Sequence, residues 1–202
     1  MQSSPIFRTT LLVALLLQGL QVQATTAWDE AASGDLSNNG LAPTPLVLAA
    51  GSNEVLGSVG NAGLGVDRDY FSFNVAAGMR LTAINVNVGT QVSGSASFMA
   101  VQAGPQVTVT PTGGGAAALL GFTHYEDADV GHNILPRLVS ASPTLAGSLG
   151  AGTYSMWVQD TGGVVPYNFS FVITAVPEPT SVVLMGAGLL GLLWARRRHG
   201  QG

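Results

Sequence analysis

Tyr167-Asn168-Phe169-Ser170-Phe171-Val172-Ile173-Thr174 is the stretch on which the fold turns. Tyr167, Phe169, Phe171 and Ile173 alternate with Asn168, Ser170, Val172 and Thr174, the two-residue period of a strand with one face buried. The same period recurs upstream. Tyr154, Met156 and Val158 alternate with Ser155, Trp157 and Gln159; Phe71, Phe73 and Val75 line up within 69–75; Ile84, Val86 and Val88 line up within 81–88. Shorter candidates are Leu46 to Ala49, Val55 to Val59, Ala96 to Gln102, Val107 to Thr110 and Ala117 to Thr123. Turn signals separate them: Ala77-Gly78, Gly104-Pro105, Pro111 to Gly115, Gly150-Ala151-Gly152 and Thr161-Gly162-Gly163. Many short strands, glycine-rich turns and no amphipathic helix predict an all-β fold, an antiparallel β-sandwich of jelly-roll or Greek-key type over residues 46–175. Residues 25–45, with Gly34, Asn38, Asn39 and Gly40, read as an irregular lead-in.

Composition narrows the function. Charged residues make up only 9% of the 202, and there is no lysine. Residues 25–176 carry ten acids against Arg68, Arg80 and Arg137, a net of −7 that repels nucleic acid. The remaining arginines are Arg8 and the run Arg196, Arg197, Arg198, so positive charge gathers at the ends. Cysteine is absent, which excludes disulfides, thiolate metal sites and a cysteine nucleophile.

Those ends read as targeting segments. Residues 1–24 show a polar start with Arg8, the apolar run Leu11 to Leu17 and a polar stretch closing in Val22-Gln23-Ala24. That is the layout of a secretory signal helix, read by the Sec translocon and cut by signal peptidase after Ala24, with Ala27 as second choice. At the other end, Pro177-Glu178-Pro179 precedes an apolar stretch, Ser181 to Ala195, and then the three arginines. The prolines break any continuing strand or helix. The apolar stretch is about 15 residues, or about 22 Å as a helix, a short transmembrane span of the inner membrane. Trp194 suits the interface, and Arg196, Arg197 and Arg198 act as a cytoplasmic stop.

This tail, residues 176–202, resembles the PEP-CTERM sorting signal of Gram-negative bacteria. The resemblance implies recognition of Pro177, Glu178 and Pro179 by exosortase, a membrane-bound processing enzyme found in bacteria that make exopolysaccharide. A second resemblance rests on Asp67-Arg68-Asp69-Tyr70-Phe71-Ser72-Phe73-Asn74-Val75-Ala76-Ala77-Gly78, with Gly152-Thr153-Tyr154 and Tyr167-Asn168-Phe169 further on. This run is similar to the bacterial pre-peptidase C-terminal domain. It implies a β-sandwich of a kind appended to secreted enzymes, some relatives of which bind calcium or matrix polymers.

Candidate chemistry is sparse. Asp67 and Asp69, joined by Asp35 or Glu54, supply the hard oxygen ligands calcium requires, although no EF-hand loop is present. His124-Tyr125-Glu126-Asp127-Ala128-Asp129-Val130-Gly131-His132 concentrates imidazoles and carboxylates, but its spacing fits no zinc motif and reads as an acidic connection. No serine sits in a nucleophile elbow and no glycine pattern cradles phosphate. Trp157, opposite the core-facing residues of its strand, is the candidate for stacking on a sugar ring. These readings lead to an exported, non-enzymatic surface or extracellular-matrix protein processed by exosortase. The alternative is a carbohydrate- or calcium-binding module associated with extracellular polysaccharide.

Overall fold

Nine strands, the longer of them built on alternation of the kind seen at 167–174, form among the residues described by the computed structural model, which are 24–63, 65–113, 115–176 and 188. In chain order they are β1 (Thr25–Asp29), β2 (Thr44–Pro45), β3 (Gly51–Asn61), β4 (Val66–Val75), β5 (Met79–Val86), β6 (Ser97–Ala103), β7 (Leu119–Tyr125), β8 (Gly152–Gln159) and β9 (Val165–Ala175). Two single-turn helices accompany them, α1 (Glu30–Ser33) and α2 (Leu135–Leu138). The chain is therefore all-β and mostly antiparallel, with β1 on β3 and β2 on β4 the parallel strand pairs.

Hydrogen bonding follows the order β5-β9-β3-β4-β8-β6-β7. The link between β3 and β4 is confined to Gly60↔Asp67 and Asn61↔Val66, so the path turns a corner there and folds into two layers. One layer is β5-β9-β3 edged by β1, and the other is β4-β8-β6-β7 with β2 beside β4. Their inner faces meet through Phe71 and Phe73 of β4 against Phe171 of β9, each pair with ring centroids 5.7 Å apart, and through Tyr125 of β7 against Phe169 at 5.2 Å. Val55, Leu81, Ile84, Met99, Val101, Met156 and Val158 fill the rest and are fully buried. Removing such side chains from water supplies about 1.5–3 kcal/mol each, the main driving force in a chain without disulfides.

The edges formed by β5 and β7 are covered. Residues 126–151 leave β7, pack Ile134, Leu135, Leu138 and Val139 into the core, and pair with the edge of β5 through Ile134 N–H to Ile84 O and Leu149 N–H to Leu81 O. A Cβ at Gly121 would collide with the Leu138 carbonyl, so glycine lets α2 sit directly on β7. Such coverage leaves few unpaired strand groups to template association.

Some expectations need correction. Leu46 to Ala49 and Val107 to Thr110 are not strands: Leu46 plugs the core, and Val107 lies flat on the outer face of the second layer. Residues 25–45 are not simply an irregular lead-in. They contain β1, α1 and β2, and Leu36 reaches the core. The polar run of β1 carries no alternation because it is an edge strand, bulged between Thr26 and Trp28. The expected signal helix of residues 1–24 lies outside the described residues except Ala24, which is exposed just before β1. The expected membrane helix, 181–195, is likewise outside them except residue 188, and among the described residues no helix is long and apolar enough to cross a membrane.

Candidate metal centre

Inward-facing positions of β4 recur every second residue, so the row that contains Phe71 and Phe73 also contains Asp69 and Asp67. Asp69 is 0% exposed, at the end of the core where β4 departs from the β3 corner. Its Oδ2 accepts a hydrogen bond from the Tyr167 hydroxyl of β9 at 2.6 Å, while its Oδ1 is buried with no protein partner. Oxygens of Glu30, Asp35 and Asp69 all lie within 4.8 Å of one another.

Glu30 arrives through the entry to α1. Asp29 caps that helix by accepting from the Ala31 N–H at 3.0 Å, which turns the chain and directs Glu30 back across β3. Its Oε2 accepts from the Ser58 N–H at 2.8 Å and its Oε1 from the Leu36 N–H at 3.2 Å. Gly57 makes this possible, because a Cβ there would fall on the Tyr167 hydroxyl and 2.9 Å from the Glu30 carboxyl carbon. Asp35 is exposed, so the cluster opens to water on that side and closes on Asp69 at its floor. Glu30 and Tyr167 also border a cleft of about 510 Å³ lined by α1, the paired strands β3 and β9, and Val88 and Gly89.

Electrostatics record the crowding. Burial pushes the Asp69 carboxyl up to about 9; the Tyr167 hydrogen bond opposes this, and the charges of Glu30, Asp67 and Asp35 add to it. Burial likewise raises Glu30 against its two backbone donors, and burial together with Asp35 raises Asp67. Arg68 opposes the rise at Asp67 through its backbone and its charge, while its side chain, on the opposite face, donates from Nε to Gln159 at 2.7 Å.

These residues fit a hard divalent cation. Oxygens within 4.8 Å of one another can share a centre at the 2.3–2.6 Å that calcium prefers, in about six to eight oxygen contacts completed by water and carbonyls. The orphaned Asp69 Oδ1 is the buried acceptor such an ion would satisfy.

The sequence-derived candidates divide accordingly. Asp69 and Asp35 come together; Asp67 is their half-buried neighbour; Glu54 is not a member of the cluster. Glu30 was not foreseen as a ligand, because nothing local to α1 signals that it reaches β3 and β4. His124 and His132 are not brought to a centre: among the described residues no group of three potential ligands includes either. The segment between them closes on itself, with Glu126 N–H donating to Asp129 and Arg137 bonded to Asp129 at 2.7 Å, which lowers the Asp129 carboxyl. Trp157 is corrected as a sugar platform. It is 5% exposed, under Tyr70 at 5.7 Å and Phe98 at 4.8 Å between ring centroids, so no ring can reach its face. Pro177, Glu178, Pro179, Arg196, Arg197 and Arg198 lie outside the described residues.

Residues 175–198 match the PEP-CTERM protein-sorting motif. The chain thus carries the tail of an exported protein sorted by exosortase, as its sequence suggested. No curated protein matches the chain. Among solved structures it is similar to PliG of Salmonella Typhimurium, a periplasmic inhibitor of g-type lysozyme, with 13% identity and a TM-score of 0.32 over 65% of this chain and 98% of that one.

Proposed function

We propose that the protein is a non-enzymatic component of the cell surface or extracellular matrix, delivered by signal peptidase and the Sec translocon and finished by exosortase. The carrying observation is position: the sorting motif begins at residue 175, where β9 ends. On this reading the sandwich is the cargo and the removable part lies within residues 176–202, held in the inner membrane by Ser181 to Ala195 until processing. Deleting exosortase in the host should retain the chain in the inner-membrane fraction, whereas unchanged release from that strain would defeat the proposal.

A second reading is carried by the unpartnered Asp69 Oδ1 inside the Glu30, Asp35 and Asp69 cluster. On it, the domain holds calcium there, tying the lead-in to both layers. Glu30 brings β1 and β3, Asp69 brings β4, and Tyr167 holds Asp69 in place from β9. Calorimetric titration of the full chain with calcium chloride should show one saturable site, lost in Asp69→Asn; heat that is flat in the parent would remove this reading and leave sorting untouched.

A further inference from the structure

The outer face of the second layer carries an in-register row. Pairings Arg68↔Gln159, Gln159↔Phe98 and Phe98↔His124 place these four side chains side by side across β4, β8, β6 and β7. At about 4.8 Å per strand the row spans about 14 Å. One step along, Tyr70, Trp157, Ala100 and Phe122 form the next row. Within the two rows, Phe122 stacks beside Phe98 at 6.0 Å with their planes 28° apart, and His124 meets the Phe98 edge at 5.7 Å.

We propose that this shelf binds a polysaccharide strand, with pyranose rings lying on Phe122 and Phe98 and their hydroxyls taken by Gln159, His124 and Thr161. Phe122 is 51% exposed, the one aromatic side chain among the exposed large hydrophobics of the described residues. An aromatic side chain buries about 150–250 Å², so Phe122 offers about 100 Å², the footprint of a sugar ring. A second copy of the chain would need about 800 Å² per partner. The negatively polarised ring face suits the C–H face of a pyranose. Polar groups stand where hydroxyls would emerge: a hollow of about 240 Å³ beside Phe98 is lined by His124, Gln159 and Thr161. Gln159 accepts from Arg68 through its side-chain carbonyl, which leaves its amide N–H groups as donors for a ligand hydroxyl. Asp160 at the floor accepts from Ser93 N–H, Ser97 hydroxyl and Gly162 N–H, so its oxygens hold the hollow's rim together rather than face the ligand as free acceptors. Underneath, Trp157 is the support that fixes Phe98 rather than the platform itself.

The proposal gives the matrix reading a ligand class and rests on it only for biological setting, since it is tested on the chain alone. Full-length protein in detergent would be titrated with cellohexaose, as a neutral glycan, and with an alginate hexamer, as an acidic one. Saturable binding of at least one is expected, weakened about five-fold or more by Phe122→Ala at unchanged melting temperature and restored by Phe122→Trp. Binding to neither hexamer, or equal affinity in Phe122→Ala, would overturn it, and neither result bears on retention in an exosortase mutant.

Discussion

Asp69 is a carboxyl group placed where a hydrophobic side chain would be expected, in the same inward row as Phe71 and Phe73. In an unfolded chain it titrates near 3.9, whereas in the fold burial moves it up to about 9. Between those values the folded protein holds a proton that the unfolded chain has released. Stability of the cation-free protein therefore falls as pH rises from about 4 to about 9. Calcium needs the carboxylate and displaces that proton, so its affinity should rise across the same window. Thermal melts in a chelator at several pH values, beside calcium titrations, check both slopes; Asp69→Asn should flatten the first and weaken calcium binding at least about ten-fold, a loss of about 1.4 kcal/mol. Gly57 belongs to the same locus. Gly57→Ala forces Tyr167 and Glu30 away from β3, with an expected cost of about 1–3 kcal/mol in denaturant unfolding and a parallel loss of calcium affinity.

β8 and β9 are late in sequence but central in space. β9 lies between β5 and β3, and β8 lies between β4 and β6, so the segment 152–175 crosses from one layer to the other and completes both. Phe171 touches Phe71 and Phe73 across the core, and Phe171→Ala should cost about 3–5 kcal/mol. A shift in denaturation midpoint much smaller than Phe71→Ala gives would contradict its central place. The strongly alternating strands were legible in sequence for the same reason that they matter here: one face is buried, so the two-residue period is enforced. β1 and β2 were not, because edge strands paired on one side need no apolar face. Val107 misled in the opposite way, since its burial comes from lying over Tyr70 and Trp157 rather than from a strand. The candidate metal centre was half legible. Asp67 and Asp69 share a period with Phe71, while Glu30 reaches them only through the capped turn at Asp29, a contact 39 residues apart in sequence from Asp69 and invisible to local pattern. Trp157 had the right face and the wrong depth, because Phe98 and Tyr70 come from other strands.

Taken whole, the molecule divides its chemistry by position. Residues 25–176 hold an acidic sandwich with the carboxylates of Glu30, Asp35 and Asp69 gathered at one corner and an aromatic shelf on one outer face, while the positive charge of the tail closes the sorting motif. That division makes sense if the ends are consumed in delivery and the sandwich is what remains. Intact-mass spectrometry of the protein recovered from outside a host that has exosortase, and from the inner-membrane fraction of a host that lacks it, tests this most directly. The account predicts a chain that starts at Thr25, at the first residue of β1, and lacks the residues from the apolar stretch onward in a host with exosortase, with the C-terminal loss absent when that enzyme is removed. An identical, full-length 202-residue mass from both hosts would contradict it.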